Sequence, residues 1–171
     1  MSQIKKDYKI IKMNAKYLEG KAWVHYHTWD ISYRGLIDDE FLNNRTYEKS
    51  LSRIVSSLND PNIFCDIALI KDKVVGFVQY NKDRDGTNTG EIAAIYVLPE
   101  YQGRGIGTAL LNTAVRALTK EYKTIYLWVL STNQKSISFY EQNGFVLEDV
   151  QKVEKFLTTT LNVSRMVYQS V

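Results

Sequence analysis

The feature that most constrains this chain is a glycine-rich turn with the sequence Gln-Gly-Arg-Gly-Ile-Gly at residues 102–107. Apolar residues at 92–98 come before the turn and indicate a buried strand, which Pro99 ends. Apolar residues then recur at helical spacing from Ile106 to Leu118. Glycine lets backbone N–H groups approach an anion without a Cβ in the way, and the N-terminus of a helix adds partial positive charge. The turn therefore predicts a site for a phosphate-bearing ligand.

The spacing of the glycines distinguishes this turn from two well-known phosphate loops. A P-loop requires a lysine before its final serine or threonine, and Gly107-Thr108 offers none. A dinucleotide-binding loop requires Gly-x-Gly-x-x-Gly, but counted from Gly103 the third position holds Thr108. Counted from Gly105, it holds Leu110. What remains is Gln-x-x-Gly-x-Gly, and the alternative interpretation is a turn that only lets a helix pack close to a strand.

The size and composition of the chain indicate one globular domain, which we expect to span residues 1–171. The sequence is 44% hydrophobic and 24% charged, an ordinary balance for a folded domain. The net charge of +3 is small and dispersed, so we expect no nucleic-acid partner, although weak positive charge suits an anionic cofactor. No apolar stretch approaches the ~20 residues of a membrane span, and no signal-peptide pattern is visible. We therefore predict a cytoplasmic protein that does not enter a membrane.

The cysteine and histidine content excludes two further classes of site. The single cysteine, Cys65, cannot form an internal disulfide, and its apolar neighbours predict a buried, inert thiol. The two histidines, His25 and His27, do not combine with it into a metal-ligand pattern. We therefore predict no metal site.

The order of apolar segments predicts a mixed α/β fold. Residues 81–90 are polar and contain glycine, which indicates a loop. The segments after this loop alternate between strand and helix, which predicts a mixed sheet. The predicted strands cover residues 8–13, 64–70, 74–80, 92–98, 124–130 and 161–169. The predicted helices cover residues 16–29, 38–58, 106–121 and 134–143.

Two segments, residues 95–107 and 133–145, resemble motifs of the GNAT superfamily of acetyl-CoA-dependent N-acetyltransferases. The first reads Ile-Tyr-Val-Leu-Pro-Glu-Tyr-Gln-Gly-Arg-Gly-Ile-Gly and resembles the family's pyrophosphate loop. The second reads Asn-Gln-Lys-Ser-Ile-Ser-Phe-Tyr-Glu-Gln-Asn-Gly-Phe and resembles its helix of Asn, six residues and Tyr. The resemblance implies the GNAT acyl-CoA N-acyltransferase fold, in which helices flank a central mixed, mostly antiparallel sheet with a splayed parallel strand pair.

The resemblance also implies acetyl-CoA as co-substrate and assigns its contacts. One strand is expected to bond to the pantetheine arm through its backbone, the glycine turn to hold the pyrophosphate, and the short helix to reach the thioester. Arg104 either adds a charge-assisted bond to the phosphates or points to solvent. The expected contact residues are Ile95, Tyr96, Val97, Gln102, Gly103, Arg104, Gly105, Ile106, Gly107, Thr108, Asn133 and Tyr140.

Two residues are candidates for acid–base chemistry. By the resemblance, Tyr140 protonates the leaving thiolate of coenzyme A, since a phenol with an ordinary pKa of ~10 is protonated at neutral pH. Glu91 stands where some family members place the base that deprotonates the amine through water. The other family position for a base holds Trp128, whose indole cannot act as one. The alternatives are that Tyr140 packs in the core beside Phe139 and that Glu91 is a solvated strand-end carboxylate.

The acceptor is the least constrained part of the prediction. Trp29, Tyr33 and Trp128 are the candidate substrate contacts. The first two lie where the first two helices meet, which is where the family builds acceptor specificity, and Trp128 is expected to face this site from a strand. Aromatic rings can surround a cationic amine, yet each of these rings can equally belong to the core. No acidic cage for a polyamine is evident. Acidic residues lie nearby, but helix capping is enough to explain them. These are Asp30, Asp38, Asp39 and Glu40.

The predicted function is direct transfer of an acetyl group from acetyl-CoA to a primary amine, that of a small molecule such as a polyamine or amino compound. No cysteine is placed to suggest a covalent acetyl-enzyme. The alternatives are acetylation of a protein N-terminus or lysine, and a domain that senses acyl-CoA without turnover. The family also makes a homodimer an expectation.

Overall fold

The described part of the chain contains both strands and helices. The computed structural model describes residues 7–82, 87–156 and 159–169. The strands are β1 (Lys9–Lys12), β2 (Ile63–Ile70), β3 (Lys73–Lys82), β4 (Thr89–Val97), β5 (Thr124–Leu130), β6 (Phe145–Phe156) and β7 (Thr159–Tyr168). The helices are α1 (Leu18–Tyr33), α2 (Asp39–Asn43), α3 (Tyr47–Ser57), α4 (Ile106–Leu118) and α5 (Gln134–Glu141).

The strands form one sheet in the order β1-β2-β3-β4-β5-β7-β6. Neighbouring strands run antiparallel except β4 and β5, which run parallel. Helix α4 supplies the crossover that a parallel pair requires. The prediction of a mixed, mostly antiparallel sheet with one parallel pair is confirmed.

The parallel strands pair along only part of their length. Their ladder ends where Ile92 of β4 faces Leu127 of β5, although β4 continues to Val97 and β5 to Leu130. The backbone edges that face each other beyond this point are not joined in the ladder. We call the opening between residues 93–97 and 128–130 the wedge.

A β-bulge lies where the wedge begins. Tyr80 of β3 faces Ile92, but the preceding Gln79 faces Ala94. Ala93 is therefore the extra residue in β4, and an extra residue bends and twists its strand. The bulge accounts for the departure of β4 from β5.

Helices α4 and α1 pack on opposite faces of the sheet. Helix α4 lies against β2, β3 and β4, where Val78 and Leu110 belong to the larger core cluster. Helix α1 packs on β3 and β4 and against α3, and its Val24 joins Phe77 in a second cluster. Because adjacent residues of a strand point to opposite faces, Phe77 and Val78 define an α1 face and an α4 face.

The helices of the α1 face differ from the prediction in two places. Helix α1 continues to Tyr33 instead of ending at Trp29, so one helix carries both aromatic residues. The predicted helical region 38–58 is two helices, because Thr46 has an extended backbone and caps α3. Its hydroxyl accepts a hydrogen bond from the Lys49 N–H.

Strand β6 is absent from the sequence prediction. It lies at the edge of the sheet, and most of its residues are exposed. An edge strand tolerates charged side chains because they stay in water. Its charges disrupt the apolar alternation from which a strand is predicted, and they belong to Glu148, Asp149, Lys152, Glu154 and Lys155.

The predicted loop at residues 81–90 is shorter than expected. Asn81 and Lys82 belong to β3, and Thr89 and Gly90 belong to β4. Residues 83–86 lie outside the described part of the chain.

Candidate active site

The glycine turn leads from β4 into the N-terminus of α4. Gly103 and Gly105 have φ values of 73° and 76°, a left-handed conformation that favours glycine. A Cβ atom built on either residue meets nothing within 4 Å. Gly105 is the N-cap of α4, and no described side chain caps that helix. Open space, glycine backbone and uncapped N–H groups together fit a phosphate group.

Polar side chains brace this turn. The Gln102 amide donates to the Val97 carbonyl at 2.9 Å, and Lys135 Nζ donates to Gln102 Oε1 at 3.2 Å. Lys135 thereby brings a positive charge from α5 to the turn. The sequence did not predict Lys135 as a site residue. Arg104 points away from the turn, because it contacts Asp7 at 3.4 Å and stands over the Tyr101 ring.

The other predicted cofactor contacts line the same region. Ile95, Tyr96 and Val97 pair with β3 on one side and border the wedge on the other. Helix α5 packs closely on the start of α4, where a Cβ on Gly107 would lie 3.4 Å from Phe139. Three more of the predicted cofactor contacts form the first turn of α4, namely Ile106, Gly107 and Thr108.

Asn133 and Tyr140 lie at opposite ends of α5. Asn133 is the N-cap, and its Oδ1 accepts a hydrogen bond from the Ser136 N–H at 3.1 Å. The Tyr140 ring packs edge-on against Phe139 and Phe145, so the ring does belong to the core. Its hydroxyl is electrostatically coupled to Tyr33. Core packing and a functional hydroxyl are therefore compatible in this side chain.

Two tyrosine hydroxyls and one indole meet beside the wedge, and a third tyrosine lies within electrostatic reach of them. The Tyr33 and Tyr96 hydroxyl oxygens lie 3.3 Å apart, and the Trp29 indole also hydrogen-bonds to Tyr96. Tyr140 interacts electrostatically with both tyrosines. Trp29 and Tyr33 stack with their ring centroids 4.6 Å apart. The structure thus brings together residues from α1, β4 and α5.

Burial is the main cause that raises the pKa of each phenol in this cluster. It raises the pKa of Tyr33, that of Tyr96 and that of Tyr140, because a low-dielectric environment disfavours phenolate. The neighbouring phenols raise the pKa of Tyr96 and Tyr140 further. All three hydroxyls are therefore protonated and able to donate at neutral pH.

Glu91 lies in the paired part of β4, next to the bulge. Its Oε2 accepts a hydrogen bond from Asn81 Nδ2 at 3.2 Å. Asn81 is 2% exposed, and its Oδ1 is buried without a hydrogen-bond partner among the described residues. Ile92 belongs to the core of the α4 face, so Glu91 points to the α1 face, as does Tyr96.

Trp128 joins the candidate acceptor residues from the other side of the wedge. It packs with Tyr33 and Ile37 against the buried Leu130, while Lys152 Nζ stands 4.2 Å from its ring centroid. An open cleft of about 550 Å³ adjoins this cluster, between the turn after α1 and the start of β7. The residues that line the cleft include Ile37 and Leu130, so the cleft and the apolar cluster around Trp128 share these residues.

The carboxylates near this cleft already have partners. Arg34 forms ion pairs with Asp30 and Asp39. Asp38 accepts a hydrogen bond from the Glu40 N–H as the N-cap of α2. These side chains therefore stabilise the turn and the helix.

Comparison with known proteins assigns the chain to a family. The sequence profile of the acetyltransferase (GNAT) family matches residues 23–145. The chain belongs to this family. Among curated relatives, this GNAT protein is 29% identical over 146 residues to spermidine N(1)-acetyltransferase of Thermoplasma acidophilum, which covers 82% of this chain and 89% of the relative. It is 33% identical over 114 residues to an uncharacterized N-acetyltransferase of Archaeoglobus fulgidus, which covers 64% and 76%.

Solved structures agree with this assignment. The PaiA N-acetyltransferase of T. acidophilum in complex with coenzyme A has a TM-score of 0.72 and 26% identity, over 99% of this chain and 100% of that chain. Ribosomal-protein-alanine N-acetyltransferase of Brucella melitensis has the same fold, with a TM-score of 0.72 and 17% identity, over 93% and 98%. This GNAT protein is thus an acyltransferase enzyme, and the coenzyme A complex supports the predicted acetyl-CoA co-substrate.

Two kinds of feature are absent from the described residues. No helix in these ranges is long and apolar enough to cross a membrane. Within the same ranges, no group of three His, Cys, Asp or Glu side chains is arranged to hold a metal ion.

Proposed function

We propose that this protein transfers the acetyl group of acetyl-CoA directly to the primary amine of a small molecule. The observation that carries the proposal is the contact between the phenols of Tyr33 and Tyr96 at the wedge, within electrostatic reach of the Tyr140 phenol. A domain that only sensed acyl-CoA would need the glycine turn but no cluster of proton donors. The cluster therefore supports turnover.

In this proposal the donor lies along the wedge. Its pyrophosphate binds the backbone N–H groups that follow Gly103 and Gly105, with Lys135 as an additional cation. The pantetheine extends along residues 95–97 and uses the strand edge as an added strand would. Asn133 contributes its amide NH₂ group, because its Oδ1 is engaged as a helix cap. The same strand edge offers N–H groups that can stabilise the oxyanion of the tetrahedral intermediate.

Tyr140 is the proposed acid. As the bond between acyl carbon and sulfur breaks, the electron pair remains on sulfur, and a nearby proton donor lowers the energy of that charge. The raised pKa of Tyr140 keeps its proton available. Tyr33 and Tyr96 are proposed to hold this donor and the acceptor in position.

Glu91 is the proposed base, acting through water. An aliphatic amine is mostly ammonium at neutral pH and must lose a proton before it can attack a thioester. Glu91 shares the α1 face with Tyr96, and Asn81 holds one of its carboxylate oxygens. The buried Oδ1 of Asn81 would accept a hydrogen bond from the water that carries the proton.

An acetyl-transfer assay tests the proposal. Purified protein would be incubated with acetyl-CoA and a panel of polyamines, amino acids, aminoglycosides and short peptides, with thiol release and product mass as readouts. We expect release with one class of small amine and a mass gain of one acetyl group. Transfer to peptides alone would favour a protein acceptor. Binding of acetyl-CoA without release from any amine would favour the sensing role.

We also propose a homodimer, and a cytoplasmic location stays a prediction. The support for a dimer is the edge strand β6, which presents several partly exposed apolar side chains to solvent. These are Val146, Leu147, Val150 and Val153. Sedimentation velocity gives the mass in solution, and a monomer at micromolar concentration would contradict the dimer.

A further inference from the structure

Arg45 stands between α2 and α3 in an unusual environment for a cation. Its guanidinium carbon lies 4.3 Å from the centroid of the Trp29 ring, and the side chain is partly buried. No carboxylate lies within ion-pair distance of it in the described ranges. Among the described residues that act electrostatically on Arg45, the one carboxylate is Asp30, which is already paired with Arg34.

The charge of Arg45 reaches the tyrosine cluster. It acts electrostatically on the hydroxyls of Tyr33 and Tyr96, the two phenols that meet across α1 and β4. Burial lowers the pKa of Arg45, because a guanidinium removed from water without a partner is destabilised. A partly desolvated, unpaired cation thus stands beside the proposed transfer site.

Neighbouring groups make this region positive. Arg53 and Lys21 act on the same space as Arg45, since all three lower the pKa of His25. His25 Nδ1 is inaccessible to solvent and has no hydrogen-bond partner among the described residues. The region therefore contains a guanidinium without an ion-pair partner among the described residues, that of Arg45, and a buried imidazole nitrogen without a hydrogen-bond partner there.

We propose that Arg45 binds an oxyanion of the acceptor, so that the substrate is an amine that also carries a carboxylate or phosphate group. This inference rests on the proposed function and selects among its amine classes. A guanidinium forms two parallel hydrogen bonds to either oxyanion. Stacking on Trp29 holds the guanidinium by one face and leaves its edge for those bonds.

The same charges disfavour a polyamine. A second ammonium group near Arg45, Arg53 and Lys21 would be repelled, whereas the paired carboxylates at Asp30 and Asp39 offer it no free partner. An acid-bearing amine reverses the sign of that interaction. It also places its amine near the phenols while its acidic end remains at Arg45.

The test compares three variants and the wild-type protein over matched acceptors. Arg45→Met keeps an apolar stem over Trp29 and removes the charge, and Arg45→Lys keeps the charge but loses the planar fork. Arg116→Met is the control, since Arg116 is an exposed residue of α4, which packs on the opposite face of the sheet. The acceptors are an α-amino acid, its amide, an aminoalkyl phosphate, its alcohol and spermidine.

We expect the wild-type protein to prefer the acid-bearing members of each pair. Arg45→Met should raise KM for these acceptors about 10- to 100-fold, the scale of a lost charge-assisted hydrogen bond, and change kcat little. KM for the amide and the alcohol should stay unchanged. The KM of Arg45→Lys for the acid-bearing acceptors should lie between the values of the wild type and of Arg45→Met. The KM of Arg116→Met should match that of the wild type. Comparing the carboxylate and phosphate arms identifies the oxyanion.

Two results would overturn the inference and leave acetyl transfer standing. One is a preference of the wild type for spermidine over every acid-bearing amine, and the other is an unchanged KM in Arg45→Met. If no amine is acetylated, the proposed function fails, and calorimetry with the same acceptors in the presence of coenzyme A tests the inference alone. Weaker binding of acid-bearing amines to Arg45→Met would support it, and equal binding would exclude it.

Discussion

The hydroxyl of Tyr33, on α1, lies 3.3 Å from the hydroxyl of Tyr96, on β4. This contact bridges a helix and a strand that are far apart in sequence, and it lies beside the opening between β4 and β5. The bond also orients a phenol that the Trp29 indole contacts. The position of this contact links the proposed acceptor region to the wedge, where acetyl-CoA is proposed to bind.

Removing either hydroxyl of this pair tests its contribution. We expect Tyr33→Phe and Tyr96→Phe each to lower the free energy of unfolding by about 1 kcal/mol, the net value of a buried hydrogen bond. The double variant should lose less than the sum, because the two substitutions remove one shared bond. Denaturant unfolding of the four proteins gives the coupling. Strict additivity would show that the hydroxyls do not interact.

Tyr140→Phe tests the proposed acid. We expect kcat to fall on the order of 100-fold, the scale of a lost acid catalyst, while the affinity for acetyl-CoA changes little. The ring remains in its core contacts with Phe139 and Phe145, so folding should persist. Tyr122→Phe, after the far end of α4, is the control for loss of a phenol. Unchanged turnover in Tyr140→Phe would remove this residue from the mechanism.

Gly105→Asp tests the phosphate site. We expect affinity for acetyl-CoA to fall by ~100-fold or more, because a carboxylate would meet the pyrophosphate at the N-terminus of α4. Gly105→Asn is the matched control, since Asn tolerates the left-handed backbone and adds similar bulk without charge. Calorimetric titration with acetyl-CoA measures both variants. Equal affinity for the two would show that no phosphate lies at Gly105.

Glu91→Gln tests the proposed base. We expect kcat near neutral pH to fall on the order of 100-fold, with partial recovery at higher pH as more of the amine is deprotonated in solution. Asn81→Asp is a companion variant, because it replaces the amide donor with a second carboxylate beside Glu91. The pH–rate profile is the measurement. A profile that is unchanged in Glu91→Gln would assign proton removal to another group.

His25 predicts how stability depends on pH. Burial, followed by the charges of Arg45, Lys21 and Arg53, lowers the pKa of His25 from 6.5 to about 3. Between these values the unfolded chain binds a proton that the folded protein does not, so stability falls as pH decreases from 6.5 toward 3. We expect the free energy of unfolding of His25→Gln to depend less on pH in this range. The loss of stability between pH 6.5 and the acid end should be several kcal/mol smaller than in the wild type. Unfolding free energies measured from pH 7 to pH 4 give the slope, and equal slopes would contradict the prediction.

Local patterns account for the parts of the site that the sequence predicts. The strand, glycine turn and helix are contiguous, so the spacing from Gln102 to Gly107 predicts their joint geometry. Strand β6 has no such signature, because an exposed edge does not require apolar alternation. The sequence also gives no indication of Arg45. Its proposed role depends on its contact with the Trp29 ring and on the pairing of nearby carboxylates with Arg34.

The sequence by itself determined the glycine turn and the family resemblance, because both depend on residue type and short-range spacing, and the resemblance supplied the candidate pair Tyr140 and Glu91. Tertiary structure decided which side chains share a face. Strict alternation along β4 would place Glu91 and Tyr96 on opposite faces, since five positions separate them. The extra residue at Ala93 shifts the register by one and brings both to the α1 face. Only the folded sheet contains that shift, because it arises from pairing with β3.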